Sequence, residues 1–416
     1  MAELSEVLRE RGYVYQFSSE KLEEITDGPK RTIYLGIDPS ADSLQVGQLQ
    51  AFLILRRFLE HGHKIILLTG GGTGMIGDPG GRSSERNLLD EGTVRRNAEA
   101  ISAQAKRLVG SSDFISMNNA DWLERLNLIE FLRDTGKHFS VNAMLQREFI
   151  KERVENPDQG ISYTEFSYPL LQAYDYLHLF QKKACTVQVG GSDQWGNIIS
   201  GVDFIRRKTG ETVYALTWPL LINKSTGKKF GKSEQGTVWL DPEKTSPFQF
   251  YQFWLNMEDE GLEEYLLKMT LLSNIEIDAA MMLHKRTPKE RHAQQILARE
   301  VTRLVHGERA TTEAEEVSRV LFGQAEISDL DRNALETLRA AAPSYDVEVG
   351  SPILEVLVAA ELASSKREAR QFITEQAVSI NGTIVTDERP LTKEDFHQGL
   401  ALLKRGKRNV CVLALR

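Results

Sequence analysis

Two glutamines three residues apart are the first side chains in this sequence whose spacing suggests chemistry. Gln45 and Gln48 lie in ADSLQVGQLQ, between a run that predicts a β-strand, RTIYLGIDP, and an apolar-periodic run that predicts a helix, QAFLILRRFLEHG. A spacing of three places both amides on one face of the first helical turn. Because the first N–H groups of a helix are unpaired and mark the positive end of its dipole, this stretch predicts an anion site.

Two glycine-containing stretches suit the binding of a nucleotide or an amino acid. GGGTGMIGDPGGRSSER, residues 70–86, begins where a strand should end and contains Asp78, a carboxylate that suits an ammonium group. A flexible surface loop is the alternative interpretation of that stretch. QVGGSDQWGNI, residues 188–198, combines Gly191 with Asp193, an acceptor that suits a ribose hydroxyl. A turn of this kind is more often only a connection between a strand and a helix.

A third stretch concentrates positive charge. TGKKFGKSEQG, residues 226–236, holds Lys228, Lys229 and Lys232 among glycines. Lysine acts on phosphate as a point charge, so the stretch predicts either an ordinary solvated basic loop or a loop that closes over a triphosphate. Its spacing is not that of a Walker phosphate-binding loop.

Polar side chains recur along one face of a predicted apolar helix. In TEFSYPLLQAYDYLHLF, residues 164–180, steps of four and three separate Tyr168, Gln172 and Asp175, which places them on one helical face. Buried polar groups cost free energy unless they are paired. The face is therefore either a structural hydrogen-bonded cluster or one wall of a binding pocket.

The bulk composition limits the class of protein. The chain has 416 residues, 41% hydrophobic and 26% charged, which indicates a globular protein of two or three domains. A net charge of −8 excludes a surface that attracts nucleic acid over its whole extent. Cys185 and Cys411 are too few and too far apart for a disulfide framework or a zinc site. We expect no signal peptide, no membrane span and a cytoplasmic location.

The order of apolar runs predicts the fold. TIYLGI, KIILLTG and CTVQVGG are typical of buried parallel strands and alternate with amphipathic helices, which indicates an α/β protein with a Rossmann-like, doubly wound sheet. Charged helical sequence follows, then a connecting segment, and then a compact tail whose Asn381-Gly382 pair is a strong hairpin signal.

In this order and spacing, the motifs resemble those of the bacterial tyrosyl-tRNA synthetases, a class I aminoacyl-tRNA synthetase family, over nearly the whole chain. YLGIDPSADSLQVGQL is similar to the first signature of that family, and KFGKS, residues 229–233, is similar to the second, usually summarised as KMSKS. GMIGDP, YPLLQAYD and QVGGSDQWGN also match.

The resemblance implies a domain organisation. It has a Rossmann-like catalytic domain over 1–225, then the KFGKS loop with an α-helical anticodon-recognition region over 226–325. A linker over 326–350 leads to a small α+β RNA-binding module over 351–416, of the type found in a ribosomal small-subunit protein.

The resemblance also implies an ATP-dependent tyrosine–tRNA ligase. Tyrosine and ATP give tyrosyl-adenylate and pyrophosphate, and the tyrosyl group then passes to the 3′-terminal adenosine of tRNA(Tyr). ATP is a substrate that Mg²⁺ accompanies, and neither a tightly bound cofactor nor a protein-held metal is expected. The family works as a homodimer, so a second copy of the chain is an expected partner together with tRNA(Tyr).

Residue roles follow from the same resemblance. Tyr34 and Asp175 are expected to bond the phenol of tyrosine, and Asp78, Tyr168 and Gln172 to surround its ammonium group. The expected residues for tyrosine are Tyr34, Asp38, Asp78, Tyr168, Gln172, Asp175 and Gln194; for ATP, Ser40, Gly47, Gly191, Asp193, Ile222 and Lys232; for catalysis, Gln45, Gln48, Arg82, Arg86, Lys229 and Lys232; and for RNA, Lys366, Arg367 and Arg370.

The tail has a local positive balance that fits the RNA interpretation. Residues 351–416 carry ten Lys or Arg and eight Asp or Glu. SKREAR, residues 365–370, is where the start of an RNA-facing helix is expected. A charged helix is more often only a solvated face, so the RNA interpretation rests on the catalytic half of the chain.

The chain departs from the family pattern at its two glutamines, because the first signature normally carries histidines there. The carboxylate of tyrosine itself attacks the α-phosphorus, so the site needs hydrogen-bond donors for phosphate charge rather than a proton carrier. The amide nitrogen of glutamine lies as many bonds from Cα as Nε2 of histidine does. Gln45 and Gln48 therefore offer N–H groups at similar places without a titrating charge. Ser40 keeps the hydroxyl of the threonine that is common in the family.

Two other functions stay open from the sequence. A catalytically weakened, synthetase-like RNA-binding protein would explain the lost histidines, but a pure RNA binder needs neither the lysine motif nor the tyrosine pocket. A synthetase for tryptophan would leave the polar pair Tyr34 and Asp175 unsatisfied against an indole. We therefore expect a working tyrosine enzyme with a pH-insensitive donor pair.

Overall fold

The protein, seen here in a computed structural model, divides into two units over the part of the chain that the structure describes. The first unit contains residues 1–241 and 258–282, and the second contains residues 242–257 and 283–416. No helix within the described ranges is long and apolar enough to cross a membrane. The described residues are 2–78, 89–110, 113–156, 160–224, 227, 230–233, 236–406 and 409–416.

The bounds of the regular elements are as follows. The strands are β1 (Gln16–Phe17), β2 (Thr32–Ile37), β3 (Lys64–Thr69), β4 (Phe114–Asn118), β5 (Cys185–Gly191), β6 (Tyr214–Trp218), β7 (Lys232–Ser233), β8 (Gly236–Thr237), β9 (Ser344–Val347), β10 (Val378–Ile380), β11 (Thr383–Ile384), β12 (Leu400–Arg405) and β13 (Asn409–Leu415). The α-helices are α1 (Leu4–Glu10), α2 (Glu23–Thr26), α3 (Leu49–Glu60), α4 (Glu91–Val109), α5 (Ala120–Leu123), α6 (Leu128–Asp134), α7 (Val141–Leu145), α8 (Glu148–Glu155), α9 (Tyr163–Lys183), α10 (Trp195–Thr209), α11 (Pro247–Leu255), α12 (Leu262–Met269), α13 (Asn274–Arg286), α14 (His292–Leu321), α15 (Arg332–Ala341), α16 (Ile353–Ala359) and α17 (Lys366–Thr374).

A mostly parallel sheet organises the first unit. Among the described residues its strands pair in the order β1-β6-β5-β2-β3-β4, and β1 alone runs antiparallel to its neighbour. The direction of winding reverses between β2 and β5. At such a switch point the carboxyl ends of adjacent parallel strands leave a crevice in which ligands bind.

The strands that the sequence predicts in this unit are confirmed. TIYLGI forms β2, KIILLT forms β3 and CTVQVGG forms β5, and most of their residues are buried. Continuous apolar runs of this kind are typical of strands covered by helices on both faces. The predicted α/β class with a doubly wound sheet is therefore confirmed.

Helices α9 and α10, which follow β4 and β5 in the chain, pack against each other and support the site. α9 begins after Ser162, whose hydroxyl accepts a hydrogen bond from the N–H of Glu165 at 3.2 Å, and α10 ends just before Gly210, which has a φ of 79°. α9 and α10 pack closely because Gly201 of α10 faces the fully buried ring of Tyr176. The absence of a side chain at Gly201 thus sets the distance between the two helices.

The second unit combines helices with a mostly antiparallel sheet. Its described strands pair in the order β11-β10-β12-β13-β9, with β9 parallel to β13. The predicted hairpin is confirmed, since Asn381 and Gly382 have φ values of 47° and 83° and connect β10 to β11. Positive φ at both central residues is what a type I′ hairpin turn requires. α14 is interrupted at Gly307, where the backbone is not helical.

The domain boundaries inferred from the sequence remain predictions. Residues 326–350, which the sequence indicates as a linker, contain α15 and β9. Strand β9 pairs with β13 along Ser344–Val347, so the segment contributes an edge strand to the sheet of the tail.

Adding a methyl group at Gly201 is expected to destabilise the first unit. A Cβ there would lie 2.9 Å from Cδ1 of Tyr176, so Gly201→Ala should lower the free energy of unfolding by about 1–3 kcal/mol. Gly196 of the same helix is the matched control, because nothing lies within 4 Å of its Cβ position. Thermal unfolding of both variants checks this: equal midpoints would show that Gly201 does not set the packing of α9 on α10.

Candidate active site

The carboxyl ends of the parallel strands bring together the first two residues expected to bind tyrosine. Tyr34 lies on β2, is 1% exposed, and its hydroxyl has no hydrogen-bond partner among the described residues. Burial raises its pKa well above the ordinary value, and the charge of Asp175 raises it further. Asp175 comes from α9, so a strand and a helix together present a hydroxyl and a carboxylate to the same space.

The Asp175 carboxylate is buried and held by two donors. Nδ2 of Asn119 donates to Oδ2 at 2.9 Å, and Nε1 of Trp122 donates to Oδ1 at 2.7 Å. Asp175 is 2% exposed, and burial raises its pKa to about 7 against the lowering effect of those two hydrogen bonds. At neutral pH the carboxyl is therefore close to the midpoint of its titration.

A chain of hydrogen bonds leads from this carboxylate to the other polar residues of α9. Asn119 also donates to Oγ1 of Thr73 at 2.9 Å, and Thr73 donates to Oδ1 of Asp38 at 2.7 Å. The hydroxyl of Tyr168 donates to Oδ2 of Asp38 at 2.9 Å. Burial raises the pKa of Tyr168 well above its ordinary value, followed in effect by Asp38 and Asp78. The tyrosine at 168 is thus a neutral donor.

The residues expected to surround an ammonium group also meet. Nε2 of Gln194 donates to Oδ2 of Asp78 at 2.7 Å, and Nδ2 of Asn197 approaches Oδ1 at 3.4 Å. Nε2 of Gln172 donates to Oε1 of Gln194 at 3.4 Å, while the buried Oε1 of Gln172 has no partner among the described residues. Arg147 donates to Oδ1 of Asn197 at 3.3 Å, which fixes that amide.

Four polar residues of the site escaped the sequence reasoning: Thr73, Asn119, Trp122 and Asn197. Asn119 and Trp122 follow β4, a strand that was not predicted because FISMN is short and is not a continuous apolar run. Their position in the sequence could have identified them, because residues directly after a parallel strand lie at the carboxyl ends of the strands, where ligands bind.

The two glutamines of the first signature are linked to each other. A short 3₁₀ helix, Val46–Gln48, begins after Gln45, and the backbone N–H of Gln45 donates to Oε1 of Gln48 at 2.9 Å. With its oxygen engaged, the Gln48 side chain has its Nε2 group left for donation. Both side chains are half-buried.

The second signature lies directly against the first. The N–H of Val46 donates to the carbonyl of Val238 at 2.9 Å, and the N–H of Leu240 donates to the carbonyl of Leu44 at 2.9 Å. Gly47 is needed at this contact, because a Cβ there would lie 3.0 Å from the carbonyl oxygen of Phe230. The backbone of Lys232 belongs to β7, which pairs with β8 beside this contact.

Four positively charged side chains that are expected in the site lie outside the part of the chain that the structure describes. Arg82, Arg86 and Lys229 lie outside the described residues, and so does the side chain of Lys232. Their roles remain predictions.

The residues expected to contact adenosine follow the ends of three parallel strands. Gly191 ends β5, and a Cβ on it would lie 2.6 Å from Oδ1 of Asp193 and 2.8 Å from Cδ2 of Leu220, so the backbone itself forms the surface there. Ser40 follows β2 and is exposed, and Ile222 follows β6 with 48% exposure.

The expected RNA-binding residues lie at the start of α17. Lys366 pairs with Glu355 at 2.7 Å, Arg370 pairs with Glu388, and Arg367 is exposed. Exposed ion pairs of this kind contribute little to stability, so Lys366 and Arg370 can exchange a carboxylate for a phosphate at small cost.

The chain is similar to known proteins over nearly its whole length. Residues 26–323 match the family model described as tRNA synthetases class I (W and Y), and residues 334–413 match that of the tyrosine–tRNA ligase SYY-like C-terminal domain. The chain is 43% identical over 414 residues to tyrosine–tRNA ligase 1 of Vibrio parahaemolyticus, covering 98% of this chain and 97% of that protein. It is 44% identical to the tyrosine–tRNA ligase of Roseiflexus castenholzii, with 100% of each covered.

A solved structure has a similar fold. A C-terminally truncated mitochondrial tyrosyl-tRNA synthetase of Aspergillus nidulans superposes with a TM-score of 0.70 at 31% identity. The match covers 77% of this chain and 95% of that one.

The titration of Asp175 predicts a pH dependence of stability in the absence of ligand. Its folded pKa, about 7, exceeds the ordinary 3.8, so its contribution is fully present below the lower value and is lost as pH rises through the higher one. Over that window the free energy of unfolding should fall by up to about 1.4 kcal/mol per pH unit. Asp175→Asn should flatten the fall, and chemical unfolding at several pH values measures it.

The control for that series is Glu20→Gln, which removes an exposed carboxylate of the same unit. A slope that is the same in Asp175→Asn and in the unmodified protein would contradict the assignment.

Proposed function

The chain belongs to the tyrosine–tRNA ligases of the class I tRNA synthetase family, and from this premise we propose which of its residues carry out the reaction. It activates tyrosine with ATP and transfers the tyrosyl group to tRNA. One observation supports the residue assignment most strongly: the side chains of Tyr34 and Asp175 are buried close together. A chain of hydrogen bonds connects Asp175 to Asp38 and Tyr168.

Selectivity for tyrosine comes from Tyr34 and Asp175. The phenol hydroxyl donates to the Asp175 carboxylate and accepts from the Tyr34 hydroxyl, which supplies the partner that Tyr34 lacks. Phenylalanine enters the same space but leaves the Tyr34 hydroxyl unpaired and the Asp175 carboxylate with only its donors Asn119 and Trp122, and a buried polar group left without a partner costs about 1–3 kcal/mol. The ammonium group lies among Asp78, Tyr168 and Gln172, where one carboxylate balances its charge.

Activation needs charge stabilisation rather than proton transfer. An oxygen of the tyrosine carboxylate forms a bond to the α-phosphorus, and the bond from that phosphorus to the bridging oxygen of pyrophosphate breaks. Gln45 and Gln48 donate N–H groups to phosphate oxygens, and Gln48 is oriented for this by its hydrogen bond to the Gln45 backbone. Lys229 and Lys232, with Arg82 and Arg86, stabilise the charge on pyrophosphate as it leaves.

The nucleoside half of ATP occupies the edge of the sheet next to tyrosine. Gly191 lets the ribose approach the backbone, Asp193 accepts from its hydroxyls, and Gly47, Ser40 and Ile222 complete the surface. Mg²⁺ enters with the triphosphate as part of the substrate. Within the described residues no group of three or more His, Cys, Asp or Glu side chains is placed to hold a metal ion, and the expectation that the protein itself holds none remains a prediction.

The tail and the location of the protein belong to the same proposal. Lys366, Arg367 and Arg370 at the start of α17 contact the phosphates of tRNA(Tyr), in a module that carries a small positive balance within an acidic chain. The helices of the second unit that precede the tail take part in anticodon recognition. A protein that acts on tRNA(Tyr) in a bacterial-type family works in the cytoplasm.

Homodimer formation is supported by an unusual concentration of exposed apolar side chains between α6 and the start of α9. Ile129 is 70% exposed and Tyr163 is 73% exposed, and three further residues of this segment exceed half exposure. Exposed apolar side chains mark a protein interface where they form one continuous patch, and we propose that these do so against a second copy of the chain, the commonest partner. The residues are Leu128, Ile129, Val141, Val154 and Tyr163.

At saturating tyrosine, where the substrate phenol already occupies the Asp175 carboxylate, the unmodified protein is expected to exchange labelled pyrophosphate into ATP at a rate that stays flat between about pH 5.5 and 8.5, because amides do not titrate. The double variant Gln45→His/Gln48→His should acquire a pH dependence in the same range, since imidazole titrates there. Gln324→His, which adds an exposed histidine in the second unit, is the control for pH effects unrelated to the site.

The exchange assay also separates the proposed enzyme from the weakened, RNA-binding alternative. Absence of exchange in the unmodified protein, with activity restored by the two histidines, would show that the phosphate site is disabled and would favour RNA binding as the function.

Replacing one apolar residue of the α6–α9 segment by a charge should give monomers. Ile129→Asp places a carboxylate in the proposed interface, where its desolvation is unfavourable, whereas Ile275→Asp places one on α13 at a residue that is 81% exposed. Sedimentation equilibrium should find the first variant monomeric and the second as dimeric as the unmodified protein. A dimeric Ile129→Asp variant would place the interface elsewhere.

A further inference from the structure

Helix α12 lies against the segment that leads into the lysine motif. Oε2 of Glu264 contacts Nζ of Lys224 at 3.1 Å, and its Oε1 contacts Nζ of Lys268 at 2.6 Å. The stem of Lys224 also packs over Gly261, where a Cβ would lie 2.9 Å from Cγ of the lysine. The ammonium group of Lys224 is therefore held by Glu264, and its aliphatic chain is held by packing over Gly261.

The next residue of α12 holds the other end of the same segment. The ring of Tyr265 lies 5.0 Å from that of Phe230, centroid to centroid, and the two residues are 2% and 5% exposed. The backbone of Lys224 also lies near the Tyr265 hydroxyl and offsets part of the rise that burial causes in the pKa of that tyrosine. Two consecutive residues, Glu264 and Tyr265, thus contact both residue 224 and residue 230.

Phe230 in turn contacts the residues expected to lie near ATP. Its N–H donates to the carbonyl of Leu221 at 3.1 Å, and its own carbonyl oxygen abuts Gly47 of the first signature. Gly231 follows with a φ of 101°, and a Cβ there would lie 3.3 Å from the nitrogen of Gly47. A shift of Phe230 would therefore move the backbone that leads to Lys232 relative to Gly47.

We propose that Glu264 and Tyr265 are positioning residues for the lysine motif, and that they set its register against the triphosphate through Lys224 and Phe230. They act through those two residues and do not touch substrate. This inference rests on the proposed role of the motif lysines in ATP activation. A half-exposed pair such as Lys224 and Glu264 adds little to stability, so its expected effect is on geometry.

The kinetic test compares Glu264→Gln and Tyr265→Phe with Glu263→Gln. The control removes an exposed carboxylate from the preceding residue of the same helix. In pyrophosphate exchange, kcat/KM for ATP should fall by about threefold to tenfold in both variants, while KM for tyrosine stays unchanged. The thermal midpoint should stay unchanged in Tyr265→Phe and fall in Glu264→Gln, because the latter also weakens the ion pair of the buried Lys268. Glu263→Gln should behave as the unmodified protein.

A double-mutant cycle shows whether Glu264 acts through Lys224. In a Lys224→Gln background, Glu264→Gln should have no further effect on kcat/KM for ATP, because its partner is already lost. Additive effects of the two substitutions would overturn the route through Lys224.

Limited trypsin digestion gives a readout that does not require activity. Trypsin cuts after lysine, and loss of the α12 contacts should speed cleavage between residues 224 and 232 in Glu264→Gln and Tyr265→Phe, as measured by mass spectrometry of the fragments. Cleavage and ATP kinetics that match those of Glu263→Gln would overturn the inference, as would a parallel loss of tyrosine binding and thermal stability. Failure of the proposed function would be distinct, since the unmodified protein would then show no exchange.

Discussion

The first unit depends on keeping one carboxylate out of water. Asp175 is 2% exposed, and a carboxylate in such a place retains charge only where donors replace its hydration. Asn119 and Trp122 provide two donors, yet burial still raises the pKa of the carboxyl to about 7. The group is thus incompletely satisfied without ligand, and in the proposed function the substrate phenol supplies the missing hydrogen bond. Selectivity for tyrosine arises because a ligand without a hydroxyl does not offset the free-energy cost of burying the Asp175 carboxylate.

The same requirement gives the pocket its rigidity. Asn119 cannot move without releasing Thr73, and Thr73 cannot move without releasing Asp38, which holds Tyr168. The phenol end and the ammonium end of the pocket are therefore connected by one set of hydrogen bonds. Gly70 belongs to this arrangement, because a Cβ there would overlap Oδ1 of Asp38. The sequence suggests that the glycine-rich stretch binds a nucleotide or an amino acid, whereas at Gly70 the structure shows close packing against the polar cluster.

Local signals in the sequence explain much of the fold. Continuous apolar runs identify β2, β3 and β5, and positive φ at Asn381 and Gly382 follows from residue type. Elements that depend on distant partners escape such reasoning. Strand β4 is short and half polar, and β9 is recognisable only from its parallel pairing with β13 at the far end of the chain.

The site divides in the same way. Tyr168, Gln172 and Asp175 are recognisable because one helix carries all three at helical spacing. Asn119 and Trp122 are not, because each meets Asp175 across more than fifty residues of chain. The contacts of α12 with Lys224 and Phe230 likewise become visible only in the folded structure, because no sequence pattern within α12 indicates them.

The glutamine pair shows how a substitution that looks unfavourable in sequence can be compensated by local structure. Glutamine has one more rotatable bond than histidine, so a free glutamine loses more rotamer entropy when it orders around a phosphate. Here the backbone N–H of Gln45 donates to Oε1 of Gln48, which orders that amide when the chain folds rather than when ATP binds. Folding thus absorbs the entropy loss, and in its proposed role Gln48 meets the developing charge as an already oriented donor.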